Sequence, residues 1–187
     1  MLENEFVFKK FFISKNTFWN FKNIVCYEIS KEEEIIARIE INSTFTAKID
    51  YNSHEYFIRP LTRFSVLRKL EIFSSENLKI GEIDYWRWTW LRPKISIYDK
   101  YINENWEFDK NAPSFFKNRK NTYTTFLNDG NKIISYEIKL GSFFEDNNKN
   151  DCLKELNGII RFSGNSNLIL ILGVYLNELL VFEEMEK

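Results

Sequence analysis

The chain has 187 residues, 44 % hydrophobic and 28 % charged, and its 26 basic and 27 acidic side chains leave a net charge of −1. That length suits one domain burying about 70 % of its unfolded surface, and a near-neutral balance supplies no global field of the kind that steers nucleic acid. Two cysteines without a CxxC and a single histidine leave neither a disulfide framework nor a set of metal ligands, so Cys26 and Cys152 read as reduced, buried thiols of a cytoplasmic protein.

Aromatic content is high, with 18 Phe, 9 Tyr and 5 Trp, and Ala occurs only at positions 37, 47 and 112. Aromatic and β-branched residues fit the pleated, half-buried surface of a sheet. The N-terminus lacks the basic start and apolar run of a signal peptide, and Phe6 to Ile13 reads as the first strand. A second is expected over Phe21 to Ile29, where Phe21, Val25 and Tyr27 share a face. Glu32-Glu-Glu34 is a solvated turn before the strand Ile35 to Ile41. Thr44 to Tyr51 and His54 to Arg59 are joined by Asn52-Ser53, the length of a tight hairpin loop. Pro60 ends that strand because it has no N–H to donate.

Phe64 to Phe73 and Leu78 to Trp86 flank a turn at Ser74 to Asn77. Gly81 within the second of these marks a bulge or a close backbone approach. Lys94 to Asp99, Glu104 to Asp109, Thr122 to Leu127 and Lys132 to Ile138 continue the series, the last two around the turn residues Asp129-Gly130. Asp146 to Asp151 is an exposed polar loop, and Gly158 to Ser163 is the last strand. About a dozen strands without a 20–50 residue repeat predict a barrel or sandwich rather than a propeller or solenoid.

Then the pattern changes. Leu168 to Leu176 carries no polar group but the Tyr175 hydroxyl, and six leucines between Leu168 and Phe182 favour helix over buried strand. A helix apolar all round has no face to turn to water, so it must be enclosed. Fifteen residues rise about 22 Å, short of a hydrocarbon core of roughly 30 Å, which argues against a membrane span. The spacing predicts one domain over 1–187, a closed antiparallel barrel of about twelve strands around a central helix near 167–181. Gly173 would let that helix pass close to the wall.

The strand pairs Leu70-Glu-Ile-Phe73 with Leu78-Lys-Ile-Gly-Glu-Ile83, then Lys94-Ile-Ser-Ile-Tyr-Asp99 with Trp106-Glu-Phe108, and the segment Leu168 to Leu180 together resemble the tubby C-terminal-like fold. Tubby proteins, phospholipid scramblases and the LURP-one-related proteins of plants and bacteria share it. The resemblance covers most of the chain in layout and implies twelve strands around a hydrophobic helix. It also implies recognition of anionic lipid, since tubby domains bind phosphoinositides through basic side chains. The cysteine-rich stretch, calcium loop and spanning segment of scramblases have no counterpart here.

Chemistry is sparse. His54 has no partner near it in sequence, the carboxylates at Glu145, Asp146 and Asp151 lack calcium-loop spacing, and the six Gly form neither a phosphate cradle nor a nucleophile elbow. No enzyme, cofactor or metal is expected. The charge is uneven, however: residues 59 to 94 hold eight basic and four acidic side chains, a surplus of +4. Within them Trp86, Trp88 and Trp90 alternate with Arg87 and Thr89, followed by Arg92 and Lys94. This set reads either as wall packing or as a surface for anionic lipid headgroups, which indoles and arginines suit. Three functions remain open: a non-enzymatic module peripheral to a membrane, binding through this region; a protein-interaction or structural domain; and a lipocalin-like carrier, which requires the terminal segment to be a wall strand.

Overall fold

The computed structural model describes residues 4–17, 20–42, 46–61, 67–86, 93–99, 102–108, 121–128, 132–139, 157–162 and 167–185. They form a mainly β protein of twelve strands and one helix. The strands are β1 Asn4–Thr17, β2 Asn20–Lys31, β3 Glu34–Ile41, β4 Ala47–Tyr51, β5 His54–Pro60, β6 Leu67–Ser74, β7 Lys79–Trp86, β8 Lys94–Asp99, β9 Ile102–Phe108, β10 Asn121–Asn128, β11 Lys132–Lys139 and β12 Asn157–Phe162. The helix α1 spans Asn167–Met185. The terminal apolar segment is therefore helical, as expected, and the wall strand that a carrier needs is not formed there.

Every strand pairs antiparallel with its neighbour in sequence, and Asn4 to Lys9 of β1 pair in addition with Phe162 to Asn157 of β12. The strand order is β1-β12-β11-β10-β9-β8-β7-β6-β5-β4-β3-β2. Alternation sets the faces: Ile39, Ile49, Ile58, Ile72, Ile83 and Ile95 are buried to the last percent, while Arg38, Arg59, Asp84 and Lys94 between them reach water. Against that apolar face lies α1, in which every residue from Leu168 to Leu176 is at most 4 % exposed. Seven aliphatic side chains in that run contribute roughly 10–20 kcal/mol of burial, more than any polar group in the core can offset.

Antiparallel order puts the connections at two unlike ends. The β2–β3 and β4–β5 turns have two residues each, Glu32-Glu33 and Asn52-Ser53, all with positive φ between 49° and 73°, the left-handed pair that matches strand twist. Pro60 and Leu67, Trp86 and Lys94, Phe108 and Asn121, Lys139 and Asn157 stand at the opposite end, joined by connections of six residues or more. Gly81 combines both features expected of it. The β6–β7 ladder slips beside it at Ile72/Phe73, and a Cβ there would stand 2.5 Å from the Ser96 carbonyl oxygen.

Two contacts orient α1. Tyr136 of β11 is level with Phe6 of β1 through Ile160, and its hydroxyl donates to the Leu170 carbonyl at 2.8 Å. Four residues further along β1, Lys10 meets Glu178. The helix therefore runs from the tight-turn end toward the end of the long connections. Gly173 is where the Tyr136 ring crosses it, and any Cβ would overlap that ring. Ala is ordinarily favoured over Gly in a helix by about 1 kcal/mol. Here Gly173→Ala should instead lower stability by about 1–3 kcal/mol, and adding Tyr136→Phe should return part of it, both measured by urea unfolding.

Candidate functional site

The surface of residues 59 to 94 can be followed on the outward positions of β5 to β9. Register places Glu71 opposite Glu82 and Lys69 opposite Asp84, and two carboxylates face to face repel. Lys79 lies between them, 2.9 Å from Glu71 and 3.2 Å from Glu82, and Lys69 reaches Glu82 at 3.8 Å and Asp84 at 3.9 Å. The Glu71 hydrogen bond, joined by those of Glu82 and Tyr98, holds the Lys79 ammonium well above the ordinary lysine range, against a desolvation effect second in size to the Glu71 bond. Lys94 is exposed and pairs with Glu107, its cross-strand partner.

Of the predicted site, Lys94 is thus placed and ion-paired. Trp86 is the last residue of β7, with a side chain outside the described set, and Arg87, Trp88, Trp90 and Arg92 lie outside the described residues. Arg59 is held differently. Its guanidinium stands 5.7 Å from the Phe57 ring centre and 5.1 Å from that of Phe73, and donates to Asn77 Oδ1 at 3.0 Å. A shallow groove of about 300 Å³ opens beside it, with Glu40 and Lys48 in its lining. Lys48 is already bridged to Asp50 and Glu55, so the groove has little charge to offer. His54 is the exposed hairpin histidine expected, with Nδ1 2.8 Å from the Asn52 carbonyl oxygen. Cys26 is buried, with its Sγ 4.0 Å from the Ile24 carbonyl oxygen; Cys152, Glu145, Asp146 and Asp151 lie outside the described residues.

The buried polar cluster is the feature that sequence reasoning missed. Lys10 continues the inward positions of Phe6 and Phe8, and its side chain is fully buried. Its ammonium donates to both oxygens of Glu178, at 2.7 and 2.8 Å, and stands 5.6 and 5.8 Å from the Phe12 and Tyr27 ring centres. Tyr27, directly opposite Lys10 on β2, donates its hydroxyl to the same carboxylate. Next along the helix, Asn177 Nδ2 donates to the Gly173 carbonyl at 2.9 Å. Glu178 therefore accepts three hydrogen bonds from two partners, Lys10 and Tyr27, and is almost wholly buried, which suits a fixed ion pair rather than proton transfer. Two signals pointed to it: a lysine on an otherwise aromatic strand face, and a carboxylate in an apolar helix. Nothing local joins them, because they are 168 residues apart.

Among the described residues no group of His, Cys, Asp and Glu could hold a metal ion, and no helix is long and apolar enough to cross a membrane. No protein-family model, curated protein or solved structure matches the chain.

Removing one partner from a buried ion pair strands the other charge at a cost of about 3–5 kcal/mol, whereas replacing both by apolar groups is near neutral. Lys10→Met should show that loss in urea unfolding, and Lys10→Met with Glu178→Leu should recover most of it. Burial, then the Glu178 charge, raises the Tyr27 phenol well above its ordinary 10.0, and burial alone raises Tyr136. The unfolded chain sheds these protons first, so this stability is full below pH 10 and is lost as pH rises further. In an alkaline absorbance titration at least these two of the nine Tyr should ionise only together with unfolding. Gradual phenolate formation by both in a folded protein would contradict the assignment.

Proposed function

We propose that the protein is a non-enzymatic binding module for anionic lipid headgroups, cytoplasmic and peripheral to the membrane. Its architecture in this reading is a closed, tubby-like barrel filled by α1. Support for closure comes from β1, which has ladder partners on both sides in β2 and β12, and from the burial of α1 throughout Leu168 to Leu176. A filled interior leaves recognition to the surface. The observation that carries the lipid reading is how the charge of residues 59 to 94 divides. Lys69, Lys79 and Lys94 are matched by Glu71, Glu82, Asp84 and Glu107. By sequence the other charged side chains of this stretch are five arginines, Arg59, Arg63, Arg68, Arg87 and Arg92, and Glu76, and of these arginines Arg59 has a described side chain, which is exposed. Pro60, Leu67, Trp86 and Lys94, the strand ends that bound most of these arginines, stand at one end of the sheet. Arginine is the cation suited to bidentate contact with phosphate.

A protein-interaction domain is the second reading, favoured by the exposed Leu61, Leu78 and Tyr98. The two separate in one experiment, co-sedimentation with vesicles of neutral lipid or with added anionic lipid at low and high salt. The lipid reading expects binding that needs anionic lipid and fades with salt, and Arg87→Glu, Arg92→Glu and Lys94→Glu together should weaken it at least tenfold. Binding unchanged by that charge reversal removes residues 87–94 as the contact. Absence of binding under every condition leaves the interaction domain.

A further inference from the structure

Arg59 does not take the partner that the sheet offers it. Register sets it directly across from Glu71, and opposite charges at facing positions ordinarily attract. Glu71 is instead bridged to Lys79 at 2.9 Å. The Arg59 side chain lies over Phe57 and Phe73, which face each other on β5 and β6, with its guanidinium carbon 5.7 and 5.1 Å from their ring centres. Nη1 donates to Asn77 Oδ1 at 3.0 Å. Among the described residues no carboxylate pairs with this guanidinium, whereas Lys48, Lys69, Lys79 and Lys94 each have one.

The arrangement fixes a cation and leaves it unneutralised. Two rings and an amide oxygen hold the guanidinium, so it has little freedom left to lose when a ligand binds. Asn77 accepts from one of its N–H groups and the side chain is exposed, which leaves donors for two parallel hydrogen bonds to an oxyanion. The surroundings limit the charge of that anion. Glu55 precedes Arg59 on the same outward face, Glu71 lies across the ladder and Glu76 adjoins Asn77. Lysines answer the first two, so Arg59 balances one negative charge and a polyanion meets the carboxylates without compensation. The groove of about 300 Å³ that Arg59 helps to line is at the small end of ligand sites. Phe57 and Ile24 give it apolar lining, Asn42 and Thr46 polar groups.

We infer that Arg59 is the recognition residue for a lipid headgroup of one chemical kind, a phosphodiester with a single negative charge and a small neutral alcohol. The phosphate meets the guanidinium and the alcohol lies toward the groove. The inference rests on the lipid reading, names its ligand and places the contact apart from residues 87–94. An acidic protein segment is the weaker alternative, because its clustered charges face Glu55, Glu71 and Glu76.

The test uses the full chain and vesicles of phosphatidylcholine with about 30 % phosphatidylglycerol, or with a bisphosphorylated inositol lipid at equal total charge. The parent should bind the phosphatidylglycerol vesicles more tightly, on the order of tenfold. Arg59→Gln should weaken that binding on the order of 30-fold. Arg59→Lys keeps the charge, loses the planar fork and should remain roughly tenfold weaker than the parent. Asn77→Gly removes the acceptor while tolerating the left-handed backbone at φ 61°, and should weaken binding about threefold. Both positions are exposed, so thermal melts should match the parent. Short-chain phosphatidylglycerol should also shift the Arg59 Nε–H NMR signal of the parent, a readout that needs no variant to fold. Phosphatidylglycerol vesicles that bind Arg59→Lys and the parent within about twofold make Arg59 a general positive charge and overturn this inference, leaving the lipid reading standing. Preference for the bisphosphorylated lipid, or an unmoved Arg59 signal, overturns it in the same way. A parent that ignores both kinds of anionic vesicle overturns both.

Discussion

Enclosure of α1 is the constraint on which the structure depends. Nine consecutive residues, Leu168 to Leu176, give the helix no side that water can touch, so strands with one apolar face must cover it from more than one direction. Coverage alone specifies little about depth or rotation, since an apolar cylinder packs almost equally well when turned. Two features remove that freedom. Gly173 admits the Tyr136 ring at one level of the helix, and Glu178 meets Lys10 and Tyr27 at another. A buried ion pair is a weak source of net stability but an effective selector among packings that burial leaves nearly degenerate.

The two ends of the sheet divide the remaining work. At one, turns of two residues with left-handed backbone close the hairpins with little chain to spare. At the other stand the connections that follow Pro60, Trp86, Phe108 and Lys139, each of six residues or more. The flank between the ends is charge-neutral by construction, because Lys79 and Lys69 bridge carboxylates that register would otherwise set against one another.

Much of this layout is readable in the chain. Period-two alternation places all twelve strands within a few residues, since a strand with one buried face must alternate, and the apolar run marks α1 because no other arrangement could solvate it. The Asn52-Ser53 turn and the Gly81 approach follow from local chemistry. Reasoning from periodicity fails where alternation stops being informative. Beyond Ile13 the first strand becomes Ser-Lys-Asn-Thr, with no hydrophobic pattern to show that the ladder continues to Thr17. Lys10 and Glu178 fail for another reason, since each looks like an exception within its own segment and only the fold brings the two exceptions together. Of the candidate site, Lys94 is placed against a partner, Glu107, and charge counting alone gave no hint that Lys69, Lys79 and Lys94 are each ion-paired across strands.

The order of elements along the chain has a consequence for biogenesis. β1 pairs with β12, and described strand faces lie against α1, yet α1 follows all twelve strands in the chain. At 5–20 residues per second, the stretch from Asn4 to Met185 takes roughly 10–40 s to synthesise, during most of which α1 is not there to cover the apolar strand faces. Contacts this distant in sequence also form slowly once α1 has been made. The order of elements therefore leaves apolar strand faces uncovered until α1 follows them.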